Sequence, residues 1–171
     1  MEVMGILGFI FGLAAFVRLE TLIKKLRELT NNEIYEILRL RSEVFVVEQD
    51  CVYQDIDGKD QKAKHVLGKK ENDIVAYARI FKPGEYFKEA SFGRAVVKKT
   101  ERGKGVGGEL IKKCLEHMKD NSIKISAQSY LKSFYSSHGF LAEGEEYLED
   151  GIPHLAMFLD NTKRWKRELF L

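Results

Sequence analysis

A chain of 171 residues with 28 Lys and Arg against 26 Asp and Glu carries a formal net charge of +2. No basic stripe interleaves with aromatics, so a nucleic-acid partner is not expected, and the length suits one domain with a substantial core. Cys51 and Cys114 lie far apart, and the histidines at 65, 117, 138 and 154 form no H-x-x-x-H pair; no disulfide framework or metal site is expected, and the setting expected is reduced and cytoplasmic.

Residues 5–17 form an uninterrupted apolar run, followed by Arg18, Lys24, Lys25 and Arg27. The run falls short of the roughly 20 residues that cross a bilayer, but residues 3–23 approach that length if Arg18 snorkels. The cations follow the run and Glu2 precedes it, which speaks against a secretory signal. If the segment inserts, the positive-inside rule keeps residues 18 onward in the cytoplasm, anchored at the inner face of the membrane. The other reading is a helix or strand packed on the domain or within a homodimer; Val17, Leu19 and Thr21 alternate as a strand would. The division expected is an apolar extension over residues 1–28, a domain over 29–160 and a tail over 161–171 that contains Trp165.

Thr30 and Glu33 stand at capping-box spacing ahead of a helix with Ile34, Ile37, Leu38, Arg41, Val44 and Phe45 on one face. Asp55, Asp57 and Asp60 open like a calcium loop, but Val66 stands where the twelfth-position glutamate belongs, which excludes that reading. The cluster either attracts an amine or forms a solvated turn. Strands are expected over 65–68, 74–81 and 91–97, separated by turns at 69–73 and at Pro83 and Gly84. Leu110, Ile111, Cys114, Leu115 and Met118 then mark a helix. A strand over 123–128 and a short helix over 131–138 follow; Gly139 suits the left-handed residue that ends such a helix. Two strands, 141–147 and 154–159, close the chain around Asp150 and Gly151. The alternation of elements reads as α/β (α+β).

Between the third strand and the long helix stands Glu101-Arg102-Gly103-Lys104-Gly105-Val106-Gly107-Gly108. Four glycines let a ligand approach the backbone, free N–H groups and the helix dipole favour a polyanion, and Arg102 and Lys104 add positive charge. A Walker loop is excluded, because Gly-Lys-Ser/Thr is missing at the required spacing. Gly103, Gly105 and Gly108 satisfy G-x-G-x-x-G, but the next strand ends in Gln128 rather than in an acidic residue that would hold a ribose. The remaining pattern is R-x-x-G-x-G, met by Arg102, Gly105 and Gly107.

This loop resembles the pyrophosphate-binding loop of the GNAT N-acetyltransferase superfamily. The run Arg41-Ser-Glu-Val-Phe-Val-Val-Glu-Gln49 and the stretch from Cys51 to Asp60, with His65 downstream, are similar to one branch of it, the ElaA-like acetyltransferases. The resemblance covers residues 29–160 and implies the acyl-CoA N-acyltransferase (GNAT) fold, a mixed, twisted sheet with helices on both faces. It also implies acetyl-CoA as acetyl donor and a small-molecule or peptide amine as acceptor. By this resemblance the backbone of Ala95, Val96 and Val97 would pair with the pantetheine arm. The segment Arg102, Gly103, Lys104, Gly105, Val106, Gly107 and Gly108 would hold the pyrophosphate, and Gln128 would bond the pantetheine. Tyr135 matches the tyrosine that protonates the leaving thiolate. Glu48, beside Gln49, is the first candidate for general base, with His65 and His154 as others. The activity implied is direct transfer in a ternary complex. The rivals are an acyl-homoserine-lactone synthase-like acyltransferase, suggested by the R-x-x-V-F stretch, and a non-catalytic acyl-CoA sensor at a membrane.

Overall fold

The computed structural model describes residues 19–162; the apolar run at 5–17 and the last nine residues lie outside the described part. Its elements are β1 (Glu20–Lys25), α1 (Asn31–Arg41), β2 (Lys64–Lys70), β3 (Asp73–Phe81), β4 (Ser91–Val97), α2 (Val106–His117), β5 (Ser122–Gln128), α3 (Lys132–Ser137), β6 (Leu141–Glu149) and β7 (Ile152–Asp160). No described helix is long and apolar enough to cross a membrane.

The first strand lies within residues 1–28, the stretch for which a packed helix or strand is one expectation. β1 pairs antiparallel with β2, placing Leu22 opposite Leu67. Leu19, just ahead of it, is buried over Gly68, where a Cβ would stand 3.0 Å from a Leu19 methyl group. The sheet therefore begins inside the stretch expected as an extension.

Thr30 Oγ1 accepts the Glu33 N–H at 3.1 Å and the Glu33 carboxylate accepts the Thr30 N–H at 3.0 Å, completing the capping box at the start of α1. The same carboxylate receives Lys24 of β1 at 2.8 Å and Lys69 of β2 at 2.9 Å. Burial opposes ionisation of Glu33, yet these donors pull its pKa down to about 2. One side chain thus both starts α1 and ties it to the sheet edge.

Strand alternation divides the core between two faces. Leu67, Tyr77 and Val96 meet Ile37, Leu40 and Val44 on the α1 side. Val66, Ala76, Ala78 and Ile80 meet Leu110, Ile111, Cys114 and Leu115 of α2 on the other. Buried Asn161 donates from Nδ2 to the carbonyls of Leu115 and Met118, both at 2.9 Å, fastening the end of β7 to the last turn of α2.

The expected mixed architecture with helices on both faces is present, but the strands split into two sheets, β1-β2-β3-β4 and β5-β7-β6. An isolated parallel bridge joins them: Ala90 N–H donates to Ser122 O at 3.1 Å and Lys124 N–H to Ala90 O at 2.9 Å. Past the bridge β4 bulges. Tyr77 faces Val96 while Arg79 faces Gly93, so β4 carries one extra residue there, and Arg94 takes a left-handed φ of 50°. A bulge increases local twist, and beyond the Ala90 bridge β4 and β5 share no ladder.

Candidate active site

A cleft of about 550 Å3 lies between the unpaired edge of β4 and the end of β5. Ala95, Val96 and Val97 form one wall, Gln128 and Tyr135 the other, and Gly103, Gly105, Gly107 and Gly108 the mouth. An edge strand with free N–H and C=O groups accepts an extended ligand as an added strand.

Gly103 and Gly105 hold left-handed φ angles of 73° and 82°. α2 starts at Val106, four residues before the first residue of its apolar pattern, with Gly105 as N-cap and no side chain capping it. The first intrahelical bond from this cap is Glu109 N–H to Gly105 O at 3.1 Å, so the N–H groups of residues 106–108 remain for a ligand. Gly107 is not needed for close packing: a Cβ there would meet Phe134 and Val97 at an ordinary 3.7 Å. Val106 turns its side chain into the core, leaving only its backbone for the cleft. Lys104 is exposed, does not line the cleft and pairs with Glu101 at 3.2 Å.

Arg102 donates from Nε to the Val97 carbonyl at 3.0 Å, which fixes its guanidinium at the mouth. Both Nη atoms then grip the Glu48 carboxylate. Glu48, the first candidate for general base, is thus ion-paired in this structure. Its hydrogen bonds from Arg102 hold it below the ordinary carboxylate range, and it lies at the phosphate end of the cleft. Glu48 ends a π turn (Ser42–Glu48) that prolongs α1, with Gln49 N–H bonded to Val44 O at 3.2 Å. The next residue, Gln49, reaches across the cleft. Its carboxamide and that of Gln128 bond reciprocally, at 3.2 and 3.1 Å.

Tyr135 is buried among Phe92, Phe134 and Phe140. Burial pushes its phenol well above the ordinary value, so the hydroxyl stays protonated, and no described residue hydrogen-bonds it. Tyr135, Gln128, Gln49 and Ala95 also line a second cavity of about 120 Å3. The two cavities thus meet at these side chains.

The wall of the second cavity rests on an ion network. Arg41, with no exposed surface, donates to the Asp55 and Asp60 carboxylates, both at 2.9 Å, and to the Asp55 carbonyl at 2.8 Å. Arg79 binds Asp57 at 2.7 Å and Asp60 at 3.0 Å, and Arg94 binds Asp55 at 2.7 Å. Three arginines meet three aspartates, so Asp55, Asp57 and Asp60 form neither a solvated turn nor an amine lure. His65 belongs to the same support: Nε2 donates to the Asp60 carbonyl at 3.0 Å and Nδ1 accepts from Tyr77 at 2.8 Å. Burial holds its pKa down, and both nitrogens are engaged.

Opposite, the tip of the β6–β7 hairpin bends over β5. The register sets Tyr147 against His154 and Glu149 against Ile152, with an irregularity in β6 between Glu143 and Tyr147. Ser126 nevertheless meets the Tyr147 hydroxyl at 2.5 Å and donates to Glu149 Oε2 at 2.6 Å. His154 Nδ1 donates to the Ile152 carbonyl at 2.7 Å, so Nε2 carries the lone pair. Cys51 lines this cavity and gives its thiol hydrogen to the Asp150 carbonyl at 3.3 Å. Cys114 is fully buried and its thiol is pushed up to about 12. Among the described residues no group of three His, Cys, Asp or Glu side chains could hold a metal ion.

Residues 25–160 match the family described as "Acetyltransferase (GNAT) domain". The chain belongs to the GNAT acetyltransferase family. It is 45% identical over 136 residues to Protein ElaA of Escherichia coli K12, spanning 76% of this chain and 89% of that protein. The crystal structure of E. coli ElaA superposes with a TM-score of 0.76 at 40% identity, over 84% of this chain and all (100%) of the other. An acyl-CoA N-acyltransferase from Pseudomonas aeruginosa gives 0.77 at 36% identity, over 82% and 99%. The AHL synthase LasI gives 0.71 at 14% identity, over 85% and 91%, a likeness of fold alone. GNAT enzymes use an acyl-coenzyme A donor and an amine acceptor. The features described above fit such a donor: free N–H groups at the start of α2, Arg102 beside them, and an unpaired β4 edge leading to Tyr135.

Proposed function

We propose that this protein is an acetyl-CoA-dependent N-acetyltransferase that acetylates a primary amine by direct attack in a ternary complex. The observation that carries this reading is the junction of the two cavities at Ala95, Gln128 and Tyr135. A donor laid along β4 and an amine in the second cavity would meet there, with no relay needed. When bound, acetyl-coenzyme A supplies an activated acyl carbon and a thiolate leaving group.

The chain's own groups divide the remaining work. The N–H groups of residues 106–108 and the Arg102 guanidinium hold the pyrophosphate, and Arg102 leaves Glu48 to do so. The β4 backbone from Ala95 to Val97 pairs with the arm, and Gln128 exchanges Gln49 for it. His154 Nε2 takes one proton from the acceptor ammonium. The neutral nitrogen attacks the acyl carbon, the C–N bond forms and the C–S bond breaks. Tyr135 gives its proton to the thiolate and recovers one from the acylated nitrogen, so one proton leaves the site through His154. Cys51 is no relay in this scheme, because its thiol hydrogen bonds to a carbonyl and no described histidine bonds it.

The test is amine-dependent thiol release from acetyl-coenzyme A. Tyr135→Phe should lower turnover roughly 100-fold or more while leaving donor affinity unchanged, since only a proton donor is lost. Normal turnover in that variant would make Tyr135 a packing residue and assign the thiolate's proton to water.

A further inference from the structure

The charge balance of the second cavity identifies what it takes. Arg79 and Arg94 line it, but together with Arg41 they are held by Asp55, Asp57 and Asp60, while Lys59, outside the lining and about half exposed, reaches Asp57 at 3.7 Å and lies over the Tyr86 ring. Both lining arginines are therefore already paired with carboxylates. Glu149 is different. It lines the same cavity, is half-buried and has no cationic partner among the described residues; its one hydrogen bond comes from the neutral Ser126 hydroxyl. Tyr147 bonds to that hydroxyl in turn, so Ser126 holds the carboxylate in place without neutralising it. Around it stand aromatic rings: Phe45, Tyr53, Phe81 and Tyr86 line the cavity as well. Glu149 lies near enough to Tyr86 for its charge to add to the effect of burial in raising that phenol.

An aromatic chamber whose half-buried Glu149 carboxylate has no cationic partner favours a cation with an apolar body. It disfavours a carboxylate next to the reacting amine, which would meet Glu149 with no unpaired arginine or lysine among the lining residues to offset it. We propose that the acceptor is an alkyl or aralkyl primary amine without a carboxylate beside the nitrogen, selected by Glu149. This rests on the acetyltransferase reading of the site and narrows its substrate class. An amino acid is excluded by the same charge that attracts the decarboxylated amine. Glu149 acts as a specificity residue, and His154 remains the proton acceptor.

Matched pairs test this, because each pair differs by one carboxylate: phenethylamine against phenylalanine, and butylamine against norvaline. Thiol release from acetyl-coenzyme A is measured for the wild-type protein, Glu149→Gln and Glu149→Lys, with donor affinity followed by calorimetry. Glutamine keeps an oxygen for Ser126 and removes only the charge. The wild-type protein should prefer each amine over its amino acid by at least tenfold in kcat/KM. Glu149→Gln should lose most of that preference, and Glu149→Lys should reverse it, with acetyl-coenzyme A affinity within twofold of wild type in both. Equal use of amine and amino acid by the wild-type protein, an unchanged preference in both variants, or release with none of the four compounds overturns the proposal. Donor binding that persists in any of those cases leaves the donor-site reading standing; a wild-type protein that fails to bind acetyl-coenzyme A removes both.

Discussion

Arg41→Met probes the support beneath the acceptor side. The arginine is completely buried and holds Asp55 and Asp60 through hydrogen bonds of 2.9 Å and the Asp55 carbonyl through one of 2.8 Å. Methionine fills much of the same volume but leaves Asp55, Asp57 and Asp60 facing two buried or half-buried arginines, with Lys59 about half exposed beside Asp57. Removing one partner of a buried pair costs about 3–5 kcal/mol. Asp55 keeps Arg94 and Tyr53, and Asp60 keeps Arg79, so the lower end, about 3 kcal/mol, is expected. At about 2–4 °C per kcal/mol for a chain of this size, the melting temperature should fall by roughly 6–12 °C. Urea denaturation and a calorimetric melt of the variant measure it. A loss below about 1 kcal/mol, the level of an exposed pair, would refute the claim that the three arginines and three aspartates depend on one another.

Glu48→Gln should tighten acetyl-coenzyme A binding by up to ~5-fold, since an exposed ion pair contributes about 0–1 kcal/mol and glutamine competes poorly for Arg102; turnover should persist, whereas a general-base role would abolish turnover and leave affinity alone. A truncated chain beginning at residue 29 loses β1 and the buried Leu19, and should melt at least about 3 kcal/mol less stable than one beginning at residue 18, at about 1.5–3 kcal/mol per buried aliphatic side chain. Equal melting of the two would make the edge strand dispensable.

Local signals are legible in the sequence. The Thr30–Glu33 box, the period of α2, the strand pattern from β2 to β5 and the glycine loop all depend on neighbours within a few residues. The features that escaped reading depend on distant partners. Glu48 looks like a free acid until Arg102, 54 residues away, is brought to it. Asp55, Asp57 and Asp60 look solvated because their three arginines come from α1, β3 and β4. The π turn after α1 shares its apolar residues with an ordinary helix, so no short period distinguishes them. The split between the sheets is accompanied by the Arg94 bulge, a backbone state that arginine rarely takes without tertiary support. Glu149 carries no local signal for a related reason. The irregularity in β6, with Gly144 at a φ of 74°, folds the hairpin tip onto Ser126, and simple strand alternation cannot anticipate that bend.

The cleft at the start of α2 as the donor site is tested most directly at Gly107. This position has ordinary backbone and room for a Cβ at 3.7 Å from its neighbours, unlike Gly105, where the left-handed φ of 82° would confound strain with binding. In the first turn of α2 a glutamate suits the helix dipole, so Gly107→Glu should fold and melt like the wild-type protein. Its carboxylate would project where the pyrophosphate belongs; like charges about 4 Å apart repel by about 4 kcal/mol at an intermediate dielectric. Calorimetric titration with acetyl-coenzyme A should therefore give an affinity at least ~100-fold weaker for the folded variant. Wild-type affinity in Gly107→Glu would contradict the account and move the phosphate site away from this helix.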